Sequence, residues 1–274
     1  MPDPLPLLLT ALIGLFAGLL GGLAGIGGAM VILPGLHMLY APSAPDPGSI
    51  HHRFMAAAMA TSLVVSFPAM LRHRAHDAVR ADLLPPLLIS AALTVIAGVL
   101  TSNALGGDAL RRILAAFIAL YSTLTIVRAL RRLPEPHADP RAATTPRLVA
   151  AGSITGFTAG LLGLGGGVLM VPLLQLLCRT PLRQSIATSS AVICLTAIAG
   201  ATLKLATLHQ VPVPPGAPPE SAAAALTLAA LMAPTAIVGA RVGARLTHTL
   251  PLPAVRTSVA LLLLLAAGKL ASAW

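Results

Sequence analysis

Stretches of about twenty apolar residues recur along the whole chain, and no other feature of the sequence restricts the fold as strongly. A helix needs about 20 such residues to cross a bilayer. The 274 residues are 56% hydrophobic and 9% charged, whereas soluble domains are about 45–50% apolar and about 25% charged. This composition excludes a soluble enzyme, a disordered chain and a collagen-like repeat. The sequence therefore predicts an all-α integral membrane protein.

Eight apolar segments are predicted, and two of them, 5–40 and 147–177, are too long for a single helix. Both contain a glycine cluster, which breaks a helix because each glycine costs about 1 kcal/mol relative to alanine. The other six have the length of one spanning helix and lie at 54–71, 83–102, 109–130, 184–204, 221–240 and 254–272. A polar, proline-containing stretch separates four segments from four. The predicted organisation is a first membrane repeat at 1–130, a cytoplasmic linker at 131–147 and a second membrane repeat at 148–274.

The two halves of the chain repeat one another. A shift of 138 residues superimposes seven glycine and proline positions, from Gly14 on Gly152 to Pro34 on Pro172. An Ala-Thr-Ser motif also recurs, at 60–62 and at 187–189. Internal repeats of this kind are typical of secondary transporters.

The positions of the basic residues predict how the halves are oriented. With a cytoplasmic linker and eight single crossings, ten of the 18 Lys and Arg residues lie inside, which is no bias. If each long segment instead returns to the side it entered from, thirteen lie inside and five outside, as the positive-inside rule prefers. The predicted fold is therefore two inverted repeats, each with three full crossings and one glycine-broken re-entrant or hairpin segment. The net charge of +10 then reflects topology, and no nucleic-acid partner is expected.

The glycine clusters are the first candidates for a binding site. Unpaired backbone within a bilayer is tolerated only where it is buried in protein or lines a cavity. An apolar run resumes after each cluster, so a half-helix is expected to begin there, with its positive dipole end suited to an anion. The predicted substrate-binding glycines are Gly25, Gly27, Gly28, Gly163, Gly165, Gly166 and Gly167. The alternative is a hinge or packing kink that binds no ligand.

Hydroxyl side chains at matched positions of the two halves are the second candidates. Thr61, Ser62, Thr188, Ser189 and Ser190 lie about two turns inside their predicted helices. A hydroxyl can donate a hydrogen bond to an oxyanion without adding a charge. The alternative is a local bond to the carbonyl one turn earlier, which Ser and Thr often form in helices.

Glycines spaced four residues apart predict close helix packing rather than ligand binding. They are Gly14, Gly18 and Gly22 in the first half and Gly152, Gly156 and Gly160 in the second. The two cysteines, Cys178 and Cys194, are too far apart in sequence for a metal or disulfide framework. A secondary hypothesis is the uptake of a sulfur-containing anion along a path that passes one of these cysteines. The alternative is that each cysteine is a small packing residue.

The acidic residues all lie in or beside predicted loops. A cation transporter or proton pump usually needs a carboxylate within a span, so an anionic or neutral substrate is favoured. Lys204 is expected to extend to the outer surface. His37, the one histidine within an apolar segment, is expected to lie near an interface, and a proton relay is the alternative. The sequence contains no GxSxG or HExxH motif, so no catalytic residue, metal or cofactor is predicted. A membrane scaffold or an intramembrane enzyme without transport activity is the alternative function.

The repeated motifs resemble those of the TauE/SafE family of membrane permeases, the sulfite-exporter or TSUP family. The resemblance is in GLLGGLAGIGGAMVILP and GLLGLGGGVLMVP, each followed by an Ala-Thr-Ser motif, in AMATSLVV and SIATSSAV. It implies a multi-pass protein of the bacterial inner membrane that carries sulfite, a sulfonate or another small sulfur-containing or organic anion. It also implies a secondary carrier coupled to a proton or charge gradient. Ala29 and Met30 stand where the second half has Gly167 and Val168, so the two half-sites are expected to differ in detail.

Overall fold

A computed structural model describes residues 4–25, 27–43, 48, 50–74, 79–131, 139–213, 219–247 and 252–272. These residues form α-helices and short 3-10 turns, with no strand among them. The helices are α1 (Pro4–Ala24), α2 (Ala29–Tyr40), α3 (His51–Arg74), α4 (Leu84–Asn103), α5 (Gly107–Leu130), α6 (Thr145–Leu162), α7 (Gly167–Leu177), α8 (Leu182–Thr207), α9 (Ala222–Leu246) and α10 (Leu252–Ser272). Six of them, α1, α3, α4, α5, α8 and α9, are long and apolar enough to cross a membrane. The predicted all-α membrane class is therefore confirmed.

Each of the two long apolar segments is a helical hairpin. The first is divided into α1 and α2, and the second into α6 and α7, at the glycine clusters. The start of α1 lies beside the end of α2, because the Thr10 and Tyr40 hydroxyl oxygens are 2.8 Å apart. In the second hairpin Arg147, near the start of α6, donates to the Leu177 carbonyl at the end of α7, at 3.4 Å. The two helices of each segment therefore run antiparallel.

The glycines spaced four apart bring helix backbones into direct contact, as predicted. Helix α1 packs in parallel on α9, and a methyl group added to Gly14 would lie 2.6 Å from the Met232 carbonyl oxygen. Helix α6 packs in the same way on α4, where a methyl on Gly152 would lie 2.8 Å from the Leu87 carbonyl oxygen. Each pair joins a helix of one half of the chain to a helix of the other half.

Helices α3 and α8, which contain the two Ala-Thr-Ser motifs, pack antiparallel to each other. Lys204 near the end of α8 contacts His52 at the start of α3, and Cys194 contacts Ser66 further along. We call the end of the bundle around His52 and Lys204 the His51 end, because α3 begins there at His51.

The opposite end of the bundle is the Arg80 end. There the Arg80 amide donates to the Thr188 hydroxyl at 3.2 Å, near the start of α8. The Asp139 amide donates to the Arg179 carbonyl at 3.3 Å in the same region. Of the predicted linker 131–147, residues 132–138 lie outside the described residues, and residues 139–144 lead into α6 at the Arg80 end.

Candidate functional site

The backbone at both helix breaks has a conformation that only glycine adopts readily. Gly27 and Gly28 have φ values of 80° and 77°, and the equivalent Gly165 and Gly166 have values of 68° and 95°. A left-handed conformation costs an L-residue roughly 1–2 kcal/mol. The two halves therefore use glycine at the same repeat positions because their chains turn in the same way, from one helix of the hairpin into the other.

A helix begins immediately after each break, as the sequence predicts. Helix α2 begins at Ala29 and α7 at Gly167, and neither start has a side-chain cap. Such starts present backbone N–H groups and the positive end of the helix dipole. The Ala29 amide is already bonded to the Gly27 carbonyl at 3.0 Å, so that amide does not face a ligand.

The two breaks lie on either side of one side chain, Ile193. A methyl added to Gly27 would lie 3.4 Å from Ile193 Cγ2, and a methyl added to Gly165 would lie 3.7 Å from the same atom. The methyl on Gly27 would also lie 3.7 Å from the Leu164 carbonyl oxygen. Ile193 is close to the midpoint of α8, so the two breaks come together in the middle of the bundle.

Each break also contacts the Ala-Thr-Ser motif of the opposite half. The Ser189 hydroxyl donates to the Gly25 carbonyl at 3.0 Å. A methyl on Gly165 would lie 3.0 Å from Ser62 Cβ and 3.1 Å from its hydroxyl oxygen. The structure thus brings the predicted glycines and the predicted hydroxyl positions together, through pairs far apart in sequence.

The predicted hydroxyls differ in what they bind. Thr61 donates to the Ala57 carbonyl and Ser190 to the Ile186 carbonyl, at 2.8 and 3.1 Å, which is the local alternative considered above. Thr188 accepts the Arg80 amide at the Arg80 end. Ser62 is the exception, because its fully buried hydroxyl has no hydrogen-bond partner in the described part of the chain.

Sequence reasoning missed Thr196, which belongs to the same region. Its hydroxyl donates to the Gly165 carbonyl at 2.9 Å and also lies 3.1 Å from the Val192 carbonyl. It lies on α8 two turns after Thr188, so the same helix face contains both residues. This spacing of two helical turns from Thr188 is the sequence signal that could have identified Thr196.

A small cavity of about 140 Å³ lies at the Arg80 end rather than at the breaks. It is lined by Arg80, Asp139, Ala143, Cys178, Arg179, Thr180, Pro181 and Gln184. Arg80 pairs with Asp82 at 2.6 Å, and the hydrogen bond to this carboxylate raises the pKa of the Arg80 guanidinium. Burial raises the pKa of the Cys178 thiol, so this thiol stays protonated at neutral pH. Cys194, the other cysteine, is buried against the Ser66 hydroxyl at 3.4 Å.

The expectation that Lys204 extends to the surface is wrong. Its side chain is fully buried, and Nζ lies 2.9 Å from His52 Nδ1, 2.9 Å from the Ser102 hydroxyl and 2.7 Å from Asn103 Oδ1. Polar partners on two neighbouring helices, α3 and α4, hold it inside the bundle. His37 lies at the same end and is also buried, with its Nε2 3.1 Å from His51 Nδ1.

An all-helical bundle with six candidate spans and polar groups buried at its centre defines a multi-pass membrane protein. The family model described as Sulfite exporter TauE/SafE matches residues 10–270. The chain therefore belongs to the TauE/SafE family.

Curated relatives are named as membrane transporters. The chain is 28% identical to the probable membrane transporter protein MJ0441 of Methanocaldococcus jannaschii, over 72% of this chain and 70% of that protein. It is 25% identical to the probable membrane transporter protein YunE of Bacillus subtilis, over 73% of this chain and 79% of that protein. It is 25% identical to the probable membrane transporter protein MamO of Paramagnetospirillum magneticum, over 88% of this chain but only 40% of MamO. No solved structure matches the chain.

Proposed function

We propose that this protein is a secondary carrier that moves a small anion across the bacterial inner membrane by alternating access. The observation that supports it best is the contact of both helix breaks with Ile193. Discontinuous helices that begin near the bilayer midplane are where transporters of this architecture bind their substrates. The substrate class is sulfite, a sulfonate or another sulfur-containing or organic anion, in keeping with the family.

An anion suits the centre of the bundle, because the described polar groups there carry no negative charge and include hydrogen-bond donors. The described acidic residues, Asp82, Asp108, Asp139 and Glu220, lie at helix ends or in loops. A cation would require carboxylates or a ring of carbonyls at the midplane. Helix starts and the Ser62 hydroxyl instead supply hydrogen-bond donors to an oxyanion.

The proposed topology is an inverted repeat, 1–130 against 148–274, with each hairpin entering and leaving on one side. Two contacts support it. The antiparallel run of α1 with α2 and of α6 with α7 is what an odd number of full crossings in each half requires. The antiparallel pairing of α3 with α8 follows from that number, whereas single crossings by all eight segments would make these helices parallel. Thirteen basic residues then lie on the cytoplasmic side.

The proposal is tested by counterflow with purified protein in liposomes. Vesicles loaded with unlabelled sulfite or sulfoacetate should accumulate the labelled anion from outside, while empty vesicles and a dicarboxylate panel define leak and selectivity. Gly27→Leu and Gly165→Leu should abolish counterflow, because each side chain would enter the Ile193 region in a left-handed backbone position.

The matched control is Gly106→Leu, since no atom of the described residues lies within 4 Å of a methyl added to Gly106. This variant should retain wild-type flux. Unchanged flux in the Gly27 and Gly165 variants would contradict the site. A wild-type protein that moves none of the anions would favour a scaffold or an intramembrane enzyme instead.

A further inference from the structure

Lys204 is an ionisable group buried with no opposite charge beside it among the described residues. No part of its side chain is exposed, and its three hydrogen-bond partners are a histidine ring, a hydroxyl and an amide oxygen. Burying an unpaired charge is costly in an apolar environment. Packing alone would be better served by an apolar side chain, so this lysine calls for a functional explanation.

The hydrogen bonds around Lys204 define where each proton is. His52 Nε2 lies 3.1 Å from the Leu105 carbonyl, which can only accept, so Nε2 has the ring proton and Nδ1 has a lone pair directed at Nζ. Asn103 Nδ2 donates to the Thr207 hydroxyl at 2.7 Å, which directs its oxygen to Nζ. An ammonium has three donors, and these three acceptors use all of them. An anion could therefore bind Nζ only by displacing a partner.

Among the residues that the structure describes, the other ionisable groups at this end do not neutralise Lys204. They are His37 on α2, His51 and Arg53 on α3, Asp108, Arg111 and the exposed Arg112 at the start of α5, the exposed His209 beyond α8, and Glu220 before α9. The two carboxylates each pair with an arginine, Glu220 with Arg53 at 2.6 Å and Asp108 with Arg111 at 3.1 Å. The histidines can accept protons but supply no negative charge.

We infer that Lys204 is the proton-carrying residue of the transport cycle and that His52 is its exchange partner. The inference rests on the proposed transport function and supplies the coupling step that the missing carboxylates leave open. When the His51 end opens, the proton passes from Nζ through Nδ1 of His52 to water, which leaves a neutral amine and a neutral imidazole. The amine later takes up a proton from water on the opposite side of the membrane, which restores the ammonium.

The location of the pair explains how a proton and an anion can be linked without contact. Lys204 connects α3, α4 and α8 at the His51 end, and α3 continues from His52 to Ser62 at the breaks. Those ten residues span about 15 Å at 1.5 Å per residue. Loss of the ammonium weakens three interhelical hydrogen bonds together, so protonation shifts the His51 end towards its closed form and deprotonation towards its open form, while both forms stay accessible in either state.

The test separates anion exchange from proton-coupled flux in the same liposomes. The probe is labelled sulfoacetate, whose acid groups stay ionised between about pH 6 and pH 8, with an entrapped pH dye reporting protons. For the wild type we expect counterflow, at least tenfold accumulation driven by a pH gradient of two units, and a pH change that follows the flux. Lys204→Met and Lys204→Arg should keep counterflow within about threefold and lose both the accumulation and the pH change. Arginine is included because it keeps the charge but does not release its proton.

The control is Lys269→Met, at the other lysine of the chain, which should behave as the wild type. Coupled accumulation in both Lys204 variants would overturn the inference, and so would a wild-type flux that moves no protons, even if neither variant folds. Loss of counterflow in both folded variants would place Lys204 in the anion path and also overturn it. Absence of wild-type counterflow would instead refute the transport function itself.

Discussion

Among the described residues at the breaks, Ser62 has the hydroxyl that is best placed to donate a hydrogen bond to a ligand. Its hydroxyl is fully buried and has no hydrogen-bond partner among the described residues, while Gly165 lies directly against it. A buried polar group left unpaired costs about 1–3 kcal/mol. A bound oxyanion would satisfy it and recover that free energy.

We therefore expect Ser62→Ala to weaken anion binding about tenfold without lowering stability. A hydrogen bond to a charged group is worth about 1.5–3 kcal/mol, and 1.4 kcal/mol corresponds to tenfold in affinity. The measurement is the half-saturation concentration for counterflow, with the thermal unfolding midpoint in detergent measured alongside.

Ser122→Ala is the matched control for this change. Ser122 is also fully buried, and the described part of the chain offers its hydroxyl no partner, but it lies on α5 rather than at the breaks. Equal effects of the two substitutions on half-saturation would show that Ser62 has no special place in binding.

At the scale of single helices, the glycine stripes determine how closely neighbours approach. Gly156 lies against α4, where an added methyl would be 2.7 Å from Ala91 Cα. Backbone atoms cannot move aside as a flexible side chain can. The same restriction holds on α1, where Gly14 lies against Met232 of α9.

Gly156→Leu should destabilise the fold by at least 3 kcal/mol, the upper end of about 1–3 kcal/mol for overpacking, because α4 and α6 must separate. Gly268→Leu should change stability little, since in the part of the chain that the structure describes no atom lies within 4 Å of a methyl on this glycine of α10. Thermal unfolding in detergent compares the two leucine variants. Equal losses would mean that helix propensity, not packing, determines the effect.

The helices and their breaks could be predicted from the sequence, whereas the pairing between halves could not. Glycine clusters and apolar lengths are local patterns, so the ends of α1 and α6 follow from residues next to them. The bond from Ser189 to Gly25 joins positions 164 residues apart, and no local pattern indicates such a contact. Lys204 was misplaced for the same reason. Its partners His52, Ser102 and Asn103 belong to other helices, and a lysine near a helix end looks like a surface residue until those helices are assembled.

At the scale of the whole molecule, the hairpins determine which loops share a side of the membrane. If α6 and α7 return to their side of entry, the region before α6 and the region after α8 lie on opposite sides. If every segment crosses once, both regions lie on the same side. Thr144 and Gln210 are exposed residues in these two regions and distinguish the two topologies.

A single cysteine at either position, with Cys178 and Cys194 replaced by alanine, should report this difference. We expect Gln210→Cys to react with a membrane-impermeant maleimide added outside intact cells, and Thr144→Cys to react only after the membrane is permeabilised. A permeant maleimide that labels both variants equally is the control. Labelling of both from the same side would contradict the hairpin topology.

The pairing of α1 with α9 also has a consequence for synthesis. Gly14 emerges from the ribosome 218 residues before its contact Met232, a delay of roughly 10–40 s at about 5–20 residues per second. During that interval the glycine face of α1 has no native helix to pack on, and α4 waits in the same way for α6. The first half therefore has these two packing faces uncovered in the bilayer until helices of the second half are made.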